Sequence, residues 1–147
     1  MVCIAELAYG QGDLDEAEAW AQRASVQANL DSMVLLGYVA SDRGDADAAK
    51  TWWERAADLR SEVAMFELGG LAQEAGDLDR ARAWWEDAAA LGSTEAMVDL
   101  GLLANSAGDT DSARLWFEKA ANADNRLAMY HLSRLAEDAG DEDAAHC

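Results

Sequence analysis

The chain reads as all-α, a right-handed α-solenoid of stacked antiparallel helical hairpins. Three observations predict this. All five methionines, Met1, Met33, Met65, Met97 and Met129, fall on one 32-residue lattice, and so do five Gly-Asp pairs starting at Gly12, Gly44, Gly76, Gly108 and Gly140. Self-similarity at such a period marks a unit that cannot bury its apolar face alone and stacks on copies of itself. Proline is absent from the 147 residues and alanine holds nearly every small position, so little interrupts a helix and few β-branched runs favour strands.

The unit is Gly-Asp-x-Asp-x-Ala-x-x-Trp-x-x-x-Ala, a short joint, then Met-x-x-Leu-Gly-x-Leu-Ala. In one copy Met97, Leu100, Leu103 and Ala104 recur at spacings of three and four and make one stripe on a helix A. Ala81, Trp84, Trp85 and Ala88 make the matching stripe on a helix B. Helix A is expected at about 1–10, 31–43, 63–75, 95–107 and 127–139, and helix B at about 13–26, 45–58, 77–90, 109–122 and a stub at 141–147. Between A and B, glycine takes the left-handed conformation that ends one helix and aspartate accepts from the free amides that open the next. The second acid of each turn, Asp15, Asp47, Asp79, Asp111 or Asp143, complements the dipole of helix B. A calcium loop needs a longer alternation of oxygen ligands ending in glutamate, which Gly-Asp-x-Asp lacks.

The aromatic pairs Trp52-Trp53, Trp84-Trp85 and Trp116-Phe117, with Trp20 before Ala21, recur at helical positions facing the small residues Gly37, Gly69 and Gly101. Core packing accounts for them, with Trp84 filling the space between its own hairpin and helix A; an aromatic ligand box is the competing reading. Ala81, Trp84, Trp85, Ala88 and Ala89, followed by Gly92, Ala96, Leu100 and Gly101, resemble the Sel-like repeat family of the tetratricopeptide superfamily. The Gly-Asp turn is shorter than the Sel-like one and is similar to that of the tetratricopeptide repeat, whose unit is two residues longer than this one. Gly92 of the joint is replaced elsewhere by Ala28, Arg60 and Asp124. The resemblance runs through the whole chain. It implies a protein-binding adaptor or scaffold rather than one chemistry. Residues 1–147 read as a single repeat domain of about four and a half repeats. Both ends interrupt a repeat without a polar cap, so a piece of a longer protein is expected.

In such stacks helix A lines the concave face, and the resemblance places there the residues that follow each methionine by one and five positions. These give a partner-binding set of Val34, Tyr38, Phe66, Val98, Leu102, Tyr130 and Arg134. The alternative is that Val34, Phe66 and Val98 pack on neighbouring helices. The next rows, Ser41, Asp42, Gln73, Glu74, Asn105, Ser106, Glu137 and Asp138, are polar and mostly acidic, so a peptide or helix with apolar anchors and basic flanks fits. The superfamily's carboxylate-clamping mode uses several basic and Asn residues, whereas these rows offer Arg134 and Asn105.

A net charge of −18 argues against nucleic acid, which needs a basic face. Two other classes stay open: an acidic decoy for the DNA site of a basic protein, and self-association through the open solenoid ends. No catalytic, metal or cofactor site is expected. A nucleophile needs a nearby histidine and an orienting acid, and the chain offers His131, read as a variable surface residue, and His146 beside Cys147. Cys3 and Cys147 lie too far apart in an extended stack to pair. With no apolar run of about 20 residues and no secretion signal, the expected protein is cytoplasmic, non-enzymatic and without a membrane role.

Overall fold

The computed structural model describes residues 14–25 and 29–145. The expected helix at 1–10, the first Gly-Asp turn, Ala28, His146 and both cysteines lie outside these residues. Eight helices and no strand occur among them: α1 (Leu14–Ser25), α2 (Leu30–Asp42), α3 (Ala46–Asp58), α4 (Glu62–Glu74), α5 (Leu78–Ala90), α6 (Thr94–Ser106), α7 (Thr110–Asn122) and α8 (Arg126–Ala145). The even-numbered helices are the A helices and the odd-numbered ones the B helices.

Each turn from A to B is closed from both sides. Gly44, Gly76 and Gly108 stand at φ 79°, 81° and 82°, in the left-handed region where a side chain would cost energy. The amide of Gly44 bonds Ser41 O at 2.9 Å and that of Asp45 bonds Ala40 O at 2.9 Å, which satisfies the last carbonyls of α2. The carboxylates of Asp45, Asp77 and Asp109 then accept from the amides of Ala48, Arg80 and Ser112 and open α3, α5 and α7. The hydroxyl of Ser112 also donates to Asp109, and these bonds hold the Asp109 carboxyl below the usual carboxylate range.

The joint from B to A uses the same device with other residues. Arg60, Gly92 and Asp124 take positive φ, and Ser61, Ser93 and Asn125 cap α4, α6 and α8 through the amides of Ala64, Ala96 and Ala128. Ser61, Ser93 and Asn125 are followed by Glu62, Thr94 and Arg126, so the joints share no sequence signal comparable to Gly-Asp.

By contacts the chain divides into two compact units, Met1–Trp84 and Trp85–Cys147, with the division inside α5. In the first, α2 packs on α1 and α3, and α3 packs on α4. Its largest core holds Ala49, Trp53, Ala56, Ala57, Ala64 and Leu68. In the second, α7 packs between α6 and α8 around Val98, Ala113, Phe117, Ala120, Ala128 and Leu135.

The stripes sit one residue away from where the sequence pattern centred them. On helix A the buried line runs through Ser32, Ala64, Ala96 and Ala128, each fully buried, and on through Leu36, Leu68 and Leu100. The methionines flank it: Met33, Met65 and Met97 are half-buried, and Met129 is exposed. On helix B the buried aromatic is the second of each pair, Trp53, Trp85 and Phe117. Trp84 is half-buried, so Trp85 rather than Trp84 is the core residue of α5.

Glycine explains the seat of these rings. A Cβ on Gly37 would stand 2.5 Å from Trp53 Cδ1, and one on Gly101 2.7 Å from Phe117 Cδ1, closer than real Cβ contacts allow. The Trp53 indole N–H donates to Val34 O at 3.2 Å, so the ring's polar atom is satisfied as it is buried. In α8 the corresponding position is Ser133, and no ring seat exists. The fifth Gly-Asp turn, expected at Gly140, does not form. Residues 126–145 are one continuous helix, since residues 141–147 bring no aromatic whose burial would reward folding back, while glycine inside a helix costs only about 1 kcal/mol.

Candidate interaction surfaces

The A-helix residues expected to line a groove fall into three environments. In the first unit, Val34 and Tyr38 of α2 are half-buried against the Trp53 core, and Phe66 of α4 is half-buried as well. Tyr38 meets Trp53 edge-on, with ring centroids 5.6 Å apart, and its hydroxyl donates to Glu67 Oε1 at 2.6 Å. That bond ties the consecutive A helices α2 and α4 together.

In the second unit Val98 is 2% exposed and belongs to the core with Phe117 and Leu135, so it leaves the surface set. Its packing follows from the shifted stripe, because the row after each methionine turns partly toward the neighbouring helix. Leu102 and Tyr130 are on the surface, at 36% and 55% exposure. Arg134 is exposed one turn beyond Tyr130, and the tyrosine hydroxyl holds its guanidinium by a hydrogen bond that raises its pKa.

The row two residues after each methionine, expected at the surface from His131, is at least half-buried. Leu35 is buried, and Glu67, Asp99 and His131 are half-buried. His131, expected on the surface, stacks on Phe117 with ring centroids 5.0 Å apart at 16° and meets Tyr130 edge-on at 5.4 Å. Burial and the nearby Arg134 push its pKa down. Asp99 is pushed up to about 6, first by burial and then by the like charge of Glu95 one turn away. The signal for this row was present, since Leu35 is apolar and shares the position, but the charged residues in two copies masked it.

A pocket of about 270 Å³ lies wholly in the first unit, lined by Ala46, Asp47 and Lys50 of α3, by Leu68, Leu71, Ala72 and Ala75 in and after α4, and by Asp77, Arg80 and Trp84 at the start of α5. Its walls are aliphatic and aromatic, and two carboxylates and two cations stand around them. No group of His, Cys, Asp and Glu among the described residues could hold a metal ion, and none of their helices is long and apolar enough to cross a membrane.

Comparisons with known proteins agree with this architecture. Tetratricopeptide repeat models match residues 5–23, 31–55 and 63–87, and a second such model matches 94–126. No curated protein matches the sequence as a relative. Among solved structures, the fold is similar to the Sel1 repeat protein from Oxalobacter formigenes, with a TM-score of 0.76 and 25% identity over 90% of this chain and 59% of that one. It is also similar to MamA, with a TM-score of 0.70 and 23% identity over 95% of this chain and 86% of that one. A tetratricopeptide repeat protein from Parabacteroides merdae gives 0.72 and 19% over 95% of this chain and 59% of its own length. The capped helical hairpins, the glycine seats for buried rings and the repeat matches together assign this chain to the tetratricopeptide repeat family, as an all-α repeat solenoid of the Sel-like kind.

Proposed function

We propose that this protein is a non-catalytic interaction scaffold whose A-helix surface holds a segment of a partner protein. The observation that carries this reading is the exposure of Leu102 and Tyr130 on successive A helices of the second unit, where a merely solvated face would be polar. Val34, Tyr38 and Phe66 offer a similar half-buried row in the first unit. The next rows, with Glu74, Glu137 and Asp138, are exposed and acidic. The partner segment therefore presents apolar anchors flanked by basic residues, the acids speeding its encounter and making it salt-sensitive. Repeat folds of this family bind proteins or peptides, which agrees with the reading.

The test is Leu102→Asp combined with Tyr130→Asp, both at exposed positions, in binding measurements with a partner recovered from the native host. Affinity should fall at least about tenfold, the cost of losing two apolar anchors, with helicity unchanged. Unchanged affinity would move the binding face away from these helices.

A further inference from the structure

The tryptophan at the position shared by Trp20, Trp52, Trp84 and Trp116 is covered by a cation of its own helix, with one exception. Arg23 lies over Trp20 at 5.1 Å, Arg55 over Trp52 at 5.0 Å and Lys119 over Trp116 at 4.7 Å, each from three residues along. The residue three beyond Trp84 is Asp87. Trp84 takes part in no hydrogen bond, ring stacking or cation contact among the described residues, and it is the aromatic that lines the pocket between α3, α4 and α5.

We propose that this pocket takes a cationic side chain, the guanidinium or ammonium group of an arginine or lysine on a partner polypeptide, laid over Trp84. The occupant supplies the cation that the repeat provides for itself in α1, α3 and α7. Leu68, Leu71, Ala72 and Ala75 give an aliphatic wall for the stem of such a side chain, and Asp47 and Asp77 give carboxylates for its head. The pocket's own cations do not occupy the ring. Lys50 pairs with Glu54 at 3.8 Å and Arg80 with Asp77 at 4.0 Å, and both side chains are about half exposed or more, at 49% and 63%, in pairs of the weak surface kind. A net charge of −18 draws a basic partner to the molecule as a whole. The site is separate from the A-helix surface proposed above, and neither reading depends on the other.

The probe is a capped pentapeptide with arginine at its centre between glycines, with norleucine and glutamate versions as comparisons. The readout is the Trp84 indole N–H peak in proton–nitrogen correlation spectra, assigned with Trp84→Phe. The arginine peptide should shift this peak saturably and the other two should not. Asp87→Lys restores the arrangement of the other B helices, so it should fold normally and weaken the arginine peptide by about tenfold. Glu118→Lys, the same charge change at an exposed site, should alter affinity less than about twofold. The proposal is overturned by an equal shift with norleucine, which would mark a purely apolar pocket. It is overturned equally by a shift with glutamate alone, which would mark an anion site at Lys50 and Arg80, by unchanged affinity in Asp87→Lys, or by no saturable shift.

Discussion

Arg60 and Asp124 occupy the left-handed region at φ 66° and 63°, where Gly92 stands at 102° in the corresponding joint. An L side chain there costs about 1–2 kcal/mol, part of which glycine would return as lost chain entropy. Arg60→Gly and Asp124→Gly should each therefore raise stability by about 0.5 kcal/mol in urea unfolding. A loss of stability in both would show that these side chains hold the joint by contacts that outweigh backbone strain. Ser32 poses the opposite problem. Its hydroxyl is fully buried and finds no hydrogen-bond partner among the described residues, while Ala64, Ala96 and Ala128 fill the same position in the other repeats. Ser32→Ala keeps the packing and removes the unpaired group, so it should stabilise by about 1 kcal/mol. An unchanged or lower midpoint would mean that the hydroxyl is satisfied in solution.

Within a hairpin, the ring seat is the decisive contact between helices. Phe117 is 1% exposed above Gly101, so Phe117→Ala should destabilise by about 3–5 kcal/mol, and Trp85→Ala by a similar amount. Trp84→Ala, at a half-buried position, should cost about 1–2 kcal/mol. Equal losses for Trp84→Ala and Trp85→Ala in calorimetry would return Trp84 to the core. The sequence pattern locates the pair but points to Trp84 where Trp85 is the buried member, because two adjacent residues on a helix are only about 100° apart and a shift of one residue in the stripe exchanges them. For the same reason Val98 reads from the sequence as a groove residue, and the half-buried row of Glu67, Asp99 and His131 reads as a variable surface. The Gly-Asp turns at Gly44, Gly76 and Gly108 were readable because one residue type meets one backbone requirement, whereas the joints meet it with Arg60, Gly92 or Asp124 and offer no common letter. Gly140 shows the limit of reading by letter. The same dipeptide stays helical where Ser133 removes the glycine seat.

For the molecule as a whole, 29 acidic and 11 basic residues give self-repulsion that opposes compactness at neutral pH and low salt. Titrating groups then set the sign of the pH dependence. The folded pKa of Asp99, about 6, lies above the ordinary value of 3.8, so the folded state binds its proton more tightly. Its contribution is fully present below the unfolded value and is lost as pH rises through about 6. Asp109 has the opposite sign. Its folded pKa is depressed, so the stability its cap contributes is present above the unfolded value and is lost as pH falls through the folded one. His131 is also depressed, which makes acidification through the range just below its usual value of 6.5 mildly unfavourable. Relief of repulsion and the Asp99 gain act together between pH 6 and 4 against that single histidine, so thermal melts at low salt should show greatest stability in this mildly acidic range. Raising salt to about 0.5 M, where the Debye length falls to a few Å, should lift the midpoint at pH 7.5 more than at pH 5. Asp99→Asn should raise stability at pH 7.5 by about 1–2 kcal/mol, discounted for the partial exposure of the carboxylate, and flatten the slope between pH 4 and 6. If stability instead rises steadily from pH 5 to 8 at both salt concentrations, with Asp99→Asn parallel to the parent, then neither the like charge of Glu95 nor the net charge limits this repeat array, and its stability rests on packing alone.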